Sequence, residues 1–274
     1  MTLETRITAL AQAIGADIKA LQAGGGGGAT AWADITGKPQ LLGPDGWFYM
    51  VAPGKWSALD SVGGPDFDTL SGTLDVPNPS SAGLRLSLPR WNVVSGTAAN
   101  TALEQAASPS RAWRGNAVGR GGFVYRTRFS VTSTTAKQRG FFGLQDYASN
   151  YGGAQNPYLL SNSLGIAFDS NVDANYQITH NASGAATKVN AGSSFPLGDP
   201  SAVLDLTLSC APNASTVAWK LLNLNSGASA SGTLSTNLPS NTAFLSPRVY
   251  MNNGGTAAAV QCDVMMIYVA SCPA

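Results

Sequence analysis

Enzymatic turnover needs acids, bases or nucleophiles that converge on one reacting atom, and this chain supplies few of them. Its single histidine, His180, falls at alternate positions with Tyr176 and Ile178. That spacing makes it a packed or rim residue of a strand rather than a general base. No nucleophile elbow, phosphate loop or paired-histidine zinc motif occurs. Two carboxylate pairs, Asp66 with Asp68 and Asp169 with Asp173, have the residue types for glycan cleavage. Both lie in turn-rich sequence, where short carboxylates bind their own backbone N–H groups. Asp169, Asn171 and Asp173 also open like a calcium loop, but Ala174 stands where the sharp turn needs glycine, and His180 replaces the closing glutamate. The expectation is therefore no catalytic set, no metal and no cofactor.

Recognition chemistry is better supplied. One loop collects Asp146, Tyr147, Asn150, Tyr151, Gly152, Gly153, Gln155, Asn156 and Tyr158. Aromatic faces and amides together suit sugars, which present C–H faces and hydroxyls. Asn252 and Asn253, followed by two glycines, make a second such turn; ordinary β-turn chemistry explains both equally well. The candidate receptor-binding residues are accordingly Tyr147, Asn150, Tyr151, Gln155, Asn156, Tyr158, Asn252 and Asn253. A basic run, Arg111, Arg114, Arg120, Arg126, Arg128, Lys137 and Arg139, contains no acid between its ends. It is read either as a surface for anionic sugars or phosphate, or as the partner of the acidic stretch Asp45, Asp60, Asp66, Asp68 and Asp75. The near-neutral total favours the second.

The elements that must position these residues follow from composition and period. In 274 residues only 11% are charged, the formal net charge is +1, and 44% are apolar. Such a chain buries a substantial core and has no bulk attraction for nucleic acid or for membrane insertion. Cys210, Cys262 and Cys272 show no paired spacing; the first two alternate with Leu and Val and read as small core hydrophobes in a reduced protein. Val264–Ala270 is too short to span a bilayer, and no signal-peptide pattern opens the chain. From about 81 to 274, short alternating runs separated by Gly, Asn, Ser and Pro predict an antiparallel β-sandwich, a jelly roll of roughly ten strands. The runs are centred on Phe123–Val131, Leu164–Phe168, Tyr176–His180, Leu204–Cys210, Val217–Leu221 and Val260–Tyr268. Asn225-Ser226-Gly227 forms a hairpin turn. Residues 45–80, with turn signals and one apolar run at Trp47–Val51, read as a small β adaptor.

The N-terminal residues have a different period. Leu3, Ile7, Leu10, Ile14, Asp17 and Leu21 recur at spacings of four and three, a coiled-coil seam over residues 1–23, roughly 35 Å long. A lone helix of that length is marginal, so the seam predicts self-association through Leu3, Ile7, Leu10, Ile14 and Leu21. Gly24–Gly28 form a tether, and the neck, spanning 24–44 with that tether, carries Trp32, Asp34, Ile35, Thr36, Gly37, Lys38 and Pro39.

The heptads, the glycine run and W-x-D-I-x-G-K-P together resemble the stalk and neck of bacteriophage tail fibres and receptor-binding proteins. The strand order of the head is similar in pattern to concanavalin-like lectin domains. The resemblance covers about residues 1–40 and departs from the family after Pro39, where Gln40, Leu41 and Leu42 replace the usual aromatic. It implies a homotrimer in the virion tail, assembled in the host cytoplasm beside other tail or baseplate proteins. Its three heads would attach to a glycan or protein of the bacterial surface. A fibre-tip polysaccharide depolymerase and a structural baseplate protein without host contact are the alternatives.

Overall fold

The computed structural model describes residues 47–52, 60–62, 67–107, 112–146 and 155–271, with side chains described from residue 71 onward. The expected coiled coil, tether and neck, with Leu3, Ile7, Leu10, Ile14 and Leu21, lie outside the described residues. No helix among the described residues is long and apolar enough to cross a membrane.

The described chain forms sixteen strands: β1 Trp47–Ala52, β2 Asp60–Val62, β3 Phe67–Ser71, β4 Thr73–Asp75, β5 Trp91–Val94, β6 Ala102–Ala107, β7 Phe123–Val131, β8 Arg139–Gln145, β9 Ser163–Asp169, β10 Gln177–Asn181, β11 Thr187–Asn190, β12 Leu204–Cys210, β13 Val217–Asn223, β14 Ser229–Leu234, β15 Ser246–Asn252 and β16 Gln261–Ser271. They build two antiparallel sheets. One runs β14-β13-β12-β7-β16-β1-β2, with β5 also on β16 and β4 on β5; the other runs β11-β10-β9-β8-β15-β6-β3. A four-residue helix, Leu84–Ser87, and a 3₁₀ turn, Pro157–Leu159, are the only helical pieces among the described residues.

Alternation explains why these segments pair. On β7, Phe123, Tyr125, Thr127, Phe129 and Val131 are buried, while Val124, Arg126 and Arg128 are partly exposed. The inward side chains of the two sheets meet in one core, where the Phe129 and Phe142 rings stack at 3.9 Å and Tyr176 stands edge-on to Phe168 at 5.4 Å. Such aromatic pairs add about 1 kcal/mol beyond their area burial. Cys210 and Cys262 are free and buried in this core, as their alternation predicts.

Two expectations are corrected. The segment 45–80 is not a separate adaptor: Asp45–Ala274 form one compact unit. β1 pairs with β16 and β3 with β6, so both sheets are extended by early chain. Long-range pairing of this kind leaves no local sequence mark, whereas the prolines near 77 imitate a boundary. The second correction concerns β16, where the alternation does not run unbroken to Tyr268. A bulge between Val264 and Met266 shifts the register, so Ile267 and Val269 enter the core and Met266 and Tyr268 turn outward. One inserted residue reverses every later side chain.

Candidate functional site

The described end of the predicted recognition loop, Gln155 to Tyr158, lies against the seven-stranded sheet, on the face turned away from the core. Register places Phe141, Gly143 and Gln145 of β8 on that face, beside Ala167, Gly165 and Ser163 of β9 and Tyr250, Arg248 and Ser246 of β15. The two glycines make room there. A Cβ on Gly143 would come within 2.2 Å of the Leu164 carbonyl oxygen and 2.7 Å of Cζ of Phe141. The Phe141 ring instead covers the furrow and forms a small apolar cluster with Ala102, Tyr158, Leu160, Ala167 and Tyr250.

Polar contacts complete the docking. The Gln155 amide donates to the Tyr250 hydroxyl at 3.1 Å, and Asn252 Nδ2 donates to the Gln155 carbonyl at 2.7 Å and to the Tyr250 hydroxyl at 2.8 Å. Burial pushes the Tyr250 phenol up to about 12, opposed by its bond with Asn252. Asn156 Oδ1 accepts the Tyr158 amide at 3.0 Å and so opens the 3₁₀ turn. The Tyr158 hydroxyl donates to Asp173. Asp173 also takes the Asp169 amide at 2.9 Å and Lys188 Nζ at 3.0 Å, and the ammonium sits 4.3 Å from the centroid of the Tyr158 ring. Burial, then the bond to Asp173, raises the Tyr158 phenol far above its ordinary value. It stays a neutral donor at any physiological pH.

The structure thus brings Gln155, Asn156, Tyr158 and Asn252 together, but their polar atoms largely serve the loop's own seat. Asn253 stands apart from them. Its Nδ2 donates to the Ala98 and Ala258 carbonyls and to the Thr101 hydroxyl, at 2.8, 3.1 and 3.0 Å, locking a turn. Tyr147, Asn150 and Tyr151 lie outside the described residues. Lys188 was not legible as a member of this group, because it is recruited by the register of β11 on β10, opposite Thr179. On the same face of the sheet, Arg248 and Glu104 form a fully buried pair at 3.3 Å, and Gln145 Oε1 accepts from Arg248 at 3.2 Å.

The carboxylate pair at 169 and 173 is engaged in structure. Asp169 Oδ1 accepts the Asn171 amide at 3.0 Å, and its Oδ2 lies 2.8 Å from Arg139 Nε. Among the described residues no group of three or more His, Cys, Asp and Glu could hold a metal. His180 is buried on β10, where desolvation lowers its pKa below the ordinary 6.5. Among the described residues, three members of the basic run meet carboxylates of later strands, Arg126 and Arg128 at Asp205 and Arg139 at Asp169. Arg126 binds Asp205 through two bonds of 2.6 and 2.9 Å, and Arg128 binds the same carboxylate at 2.8 and 2.9 Å. Asp263 is likewise shared, by Arg85 at 2.5 Å, Arg90 at 3.2 Å and Asn92 Nδ2 at 2.7 Å. Both clusters lie on the outer face of the nine-stranded sheet.

With two antiparallel sheets and this loop arrangement in place, solved structures supply a parallel. The chain superposes on peanut lectin, solved with a nine-residue peptide, at a TM-score of 0.53, with 14% identity over 82% of this chain and 97% of that one. The fold is that of a lectin-like β-sandwich. Lectin I of Ulex europaeus, solved with the methyl glycoside of α-L-fucose, matches at 0.51 with 12% identity, covering 83% of this chain and 98% of the lectin. A protein of unknown function from Shewanella oneidensis matches at 0.55 with 14% identity, covering 91% and 97%. No family model and no curated protein matches the sequence.

Proposed function

We propose that this protein is a receptor-binding protein of a bacteriophage tail, whose lectin-like head attaches the virion to a glycan of the bacterial surface. The observation that carries the reading is the head's fold, a sandwich that spans nearly the whole length of glycan-binding lectins. The fold alone does not assign a ligand. The stalk-and-neck sequence, with its heptads, glycine run and W-x-D-I-x-G-K-P, supports the tail assignment and a homotrimer. Three heads on one stalk make weak sites act together, because a second contact forms at high effective concentration after the first.

The head works by binding, not by turnover. Supporting this, Asp169, Asp173, Asp205 and Asp263 are each committed to cationic partners in the described structure. Purified protein is to be incubated with envelope polysaccharide and with susceptible cells, and new reducing ends assayed alongside binding. Saturable binding without release of reducing ends is expected. Sustained release would replace the reading with a depolymerase, and failure to adsorb or to compete with the virus would replace it with a structural tail protein.

A further inference from the structure

A second place in the molecule has the form of a ligand site, on the outer face of the nine-stranded sheet. A cleft of about 210 Å³ opens between the segment carrying Gly83, Leu84 and Arg85 and a wall formed by Pro200, Ser201 and Asn225. Both walls stand on one spot of the sheet. Arg85 reaches down to Asp263, while the Pro200 carbonyl accepts the Ser130 hydroxyl at 3.4 Å, and Ser130 is the register partner of Asp263.

The chemistry of the two walls differs. On one side two guanidinium groups, Arg85 and Arg90, share the single Asp263 carboxylate at 2.5 and 3.2 Å. Arg90 is buried, whereas Arg85 keeps about a quarter of its side chain exposed and lines the opening. Arg85 is therefore the group placed to meet an anion, and its planar fork suits a carboxylate. The opposite wall is built to meet hydroxyls. Ser201 gives its amide and hydroxyl to Asp199 Oδ1 at 2.9 and 2.7 Å, so its oxygen remains oriented as an acceptor. Asn225 Oδ1 takes the Val203 amide at 2.8 Å, which fixes the carboxamide with its NH₂ as the donating end. Leu84 and Pro200 add apolar surface of the kind that the C–H face of a sugar ring covers. The Asp199 carboxylate keeps an anion away from this wall. Asp75, the other acid along that row of the sheet, is bonded to the Val76 amide at 2.8 Å.

We infer that this cleft binds a carboxylate-bearing pyranose unit of an acidic surface glycan, with the sugar carboxylate on Arg85 and its hydroxyls on Ser201 and Asn225. The inference rests on the glycan-binding reading and adds to it a site and a ligand class. It places binding on the sheet opposite the one against which Gln155 and Tyr158 pack.

The test is a saturation-transfer NMR titration of the full chain with D-glucuronate, D-glucose and acetate at fixed ionic strength. Glucuronate is expected to bind at least tenfold more tightly than either of the others. Arg85→Gln is expected to weaken it tenfold or more. Ser201→Tyr, at an exposed position that leaves the Arg85–Asp263 pair intact, fills the cleft and should do the same. Equal binding of glucuronate and glucose, equal binding of acetate, absence of glucuronate binding, or variants that bind like the parent would each overturn the inference. Envelope polysaccharide retained by both variants would leave the glycan-binding reading standing with its site elsewhere. Polysaccharide unbound by the parent protein would remove that reading itself.

Discussion

Asp205→Ala is the most informative single perturbation of the head. The carboxylate is almost fully buried and takes four hydrogen bonds from two arginines on the neighbouring strand. Removing one partner of a buried ion pair costs about 3–5 kcal/mol when the other charge is stranded away from water. Here the stranded groups are not sealed: the Arg126 and Arg128 side chains are 43% and 24% exposed, and rehydrate once released. The cost is therefore set nearer 2 kcal/mol, between the buried-pair value and the 0–1 kcal/mol of exposed pairs. For a unit of this size that corresponds to a fall of about 4–8 °C in melting temperature. Thermal melts of the parent, Asp205→Ala, Arg126→Ala and the double variant close a cycle that isolates the Arg126–Asp205 coupling, expected at about 1 kcal/mol or more. A fall below about 1 °C, with coupling near zero, would refute the reasoning, because the arginines would then not depend on this carboxylate.

Other expectations follow from single observations. Gly143→Ala should destabilise the head by about 3 kcal/mol, read by denaturant titration, since its Cβ has no space against the Leu164 carbonyl. Burial pushes the Cys210 thiol up to about 11 and raises the Cys262 thiol as well; with about one thiol in a thousand ionised at pH 8, Cys210 should react with a disulfide reagent only slowly until the protein is unfolded. His180, whose folded pKa is depressed, binds its proton more readily when unfolded. Its contribution to stability is full above about pH 6.5 and is lost as pH falls below that, and His180→Gln should flatten this part of a pH series of denaturation midpoints. Ile7→Asp or Ile14→Asp, each placing a charge in the heptad seam, should lower the oligomer mass in sedimentation; an unchanged mass would defeat the stalk assignment.

What could be read from the sequence was local. The inward alternation of Phe123 to Val131 and of Leu204 to Cys210 is a property of contiguous residues, and both strands appear where that alternation runs. The turn at Asn225-Ser226-Gly227 is likewise local: Asn223 Oδ1 accepts the Asn225 amide at 3.0 Å and the hairpin closes. Register and long-range pairing were not legible. Asp205 and Asp263 look like outward acids of their strands, and only pairing with β7 and β5 shows that arginines and an asparagine bury them. The β16 bulge was hidden for the same reason, since Val264, Met265, Met266 and Ile267 are all apolar and either face could take them. The 146–158 segment stands out by its composition, yet composition could not show that Asn156 and Asn252 spend their polar atoms on seating its described end.

The central claim is that the lectin-like head holds a bacterial surface glycan without consuming it. It is tested most directly by passing the intact protein over an array of immobilised bacterial surface polysaccharides and recording association and wash-off. The account predicts saturable retention on at least one polysaccharide, with the bound glycan unchanged in length after elution. Uniform absence of retention, or shortening of the glycan that is bound, would contradict it.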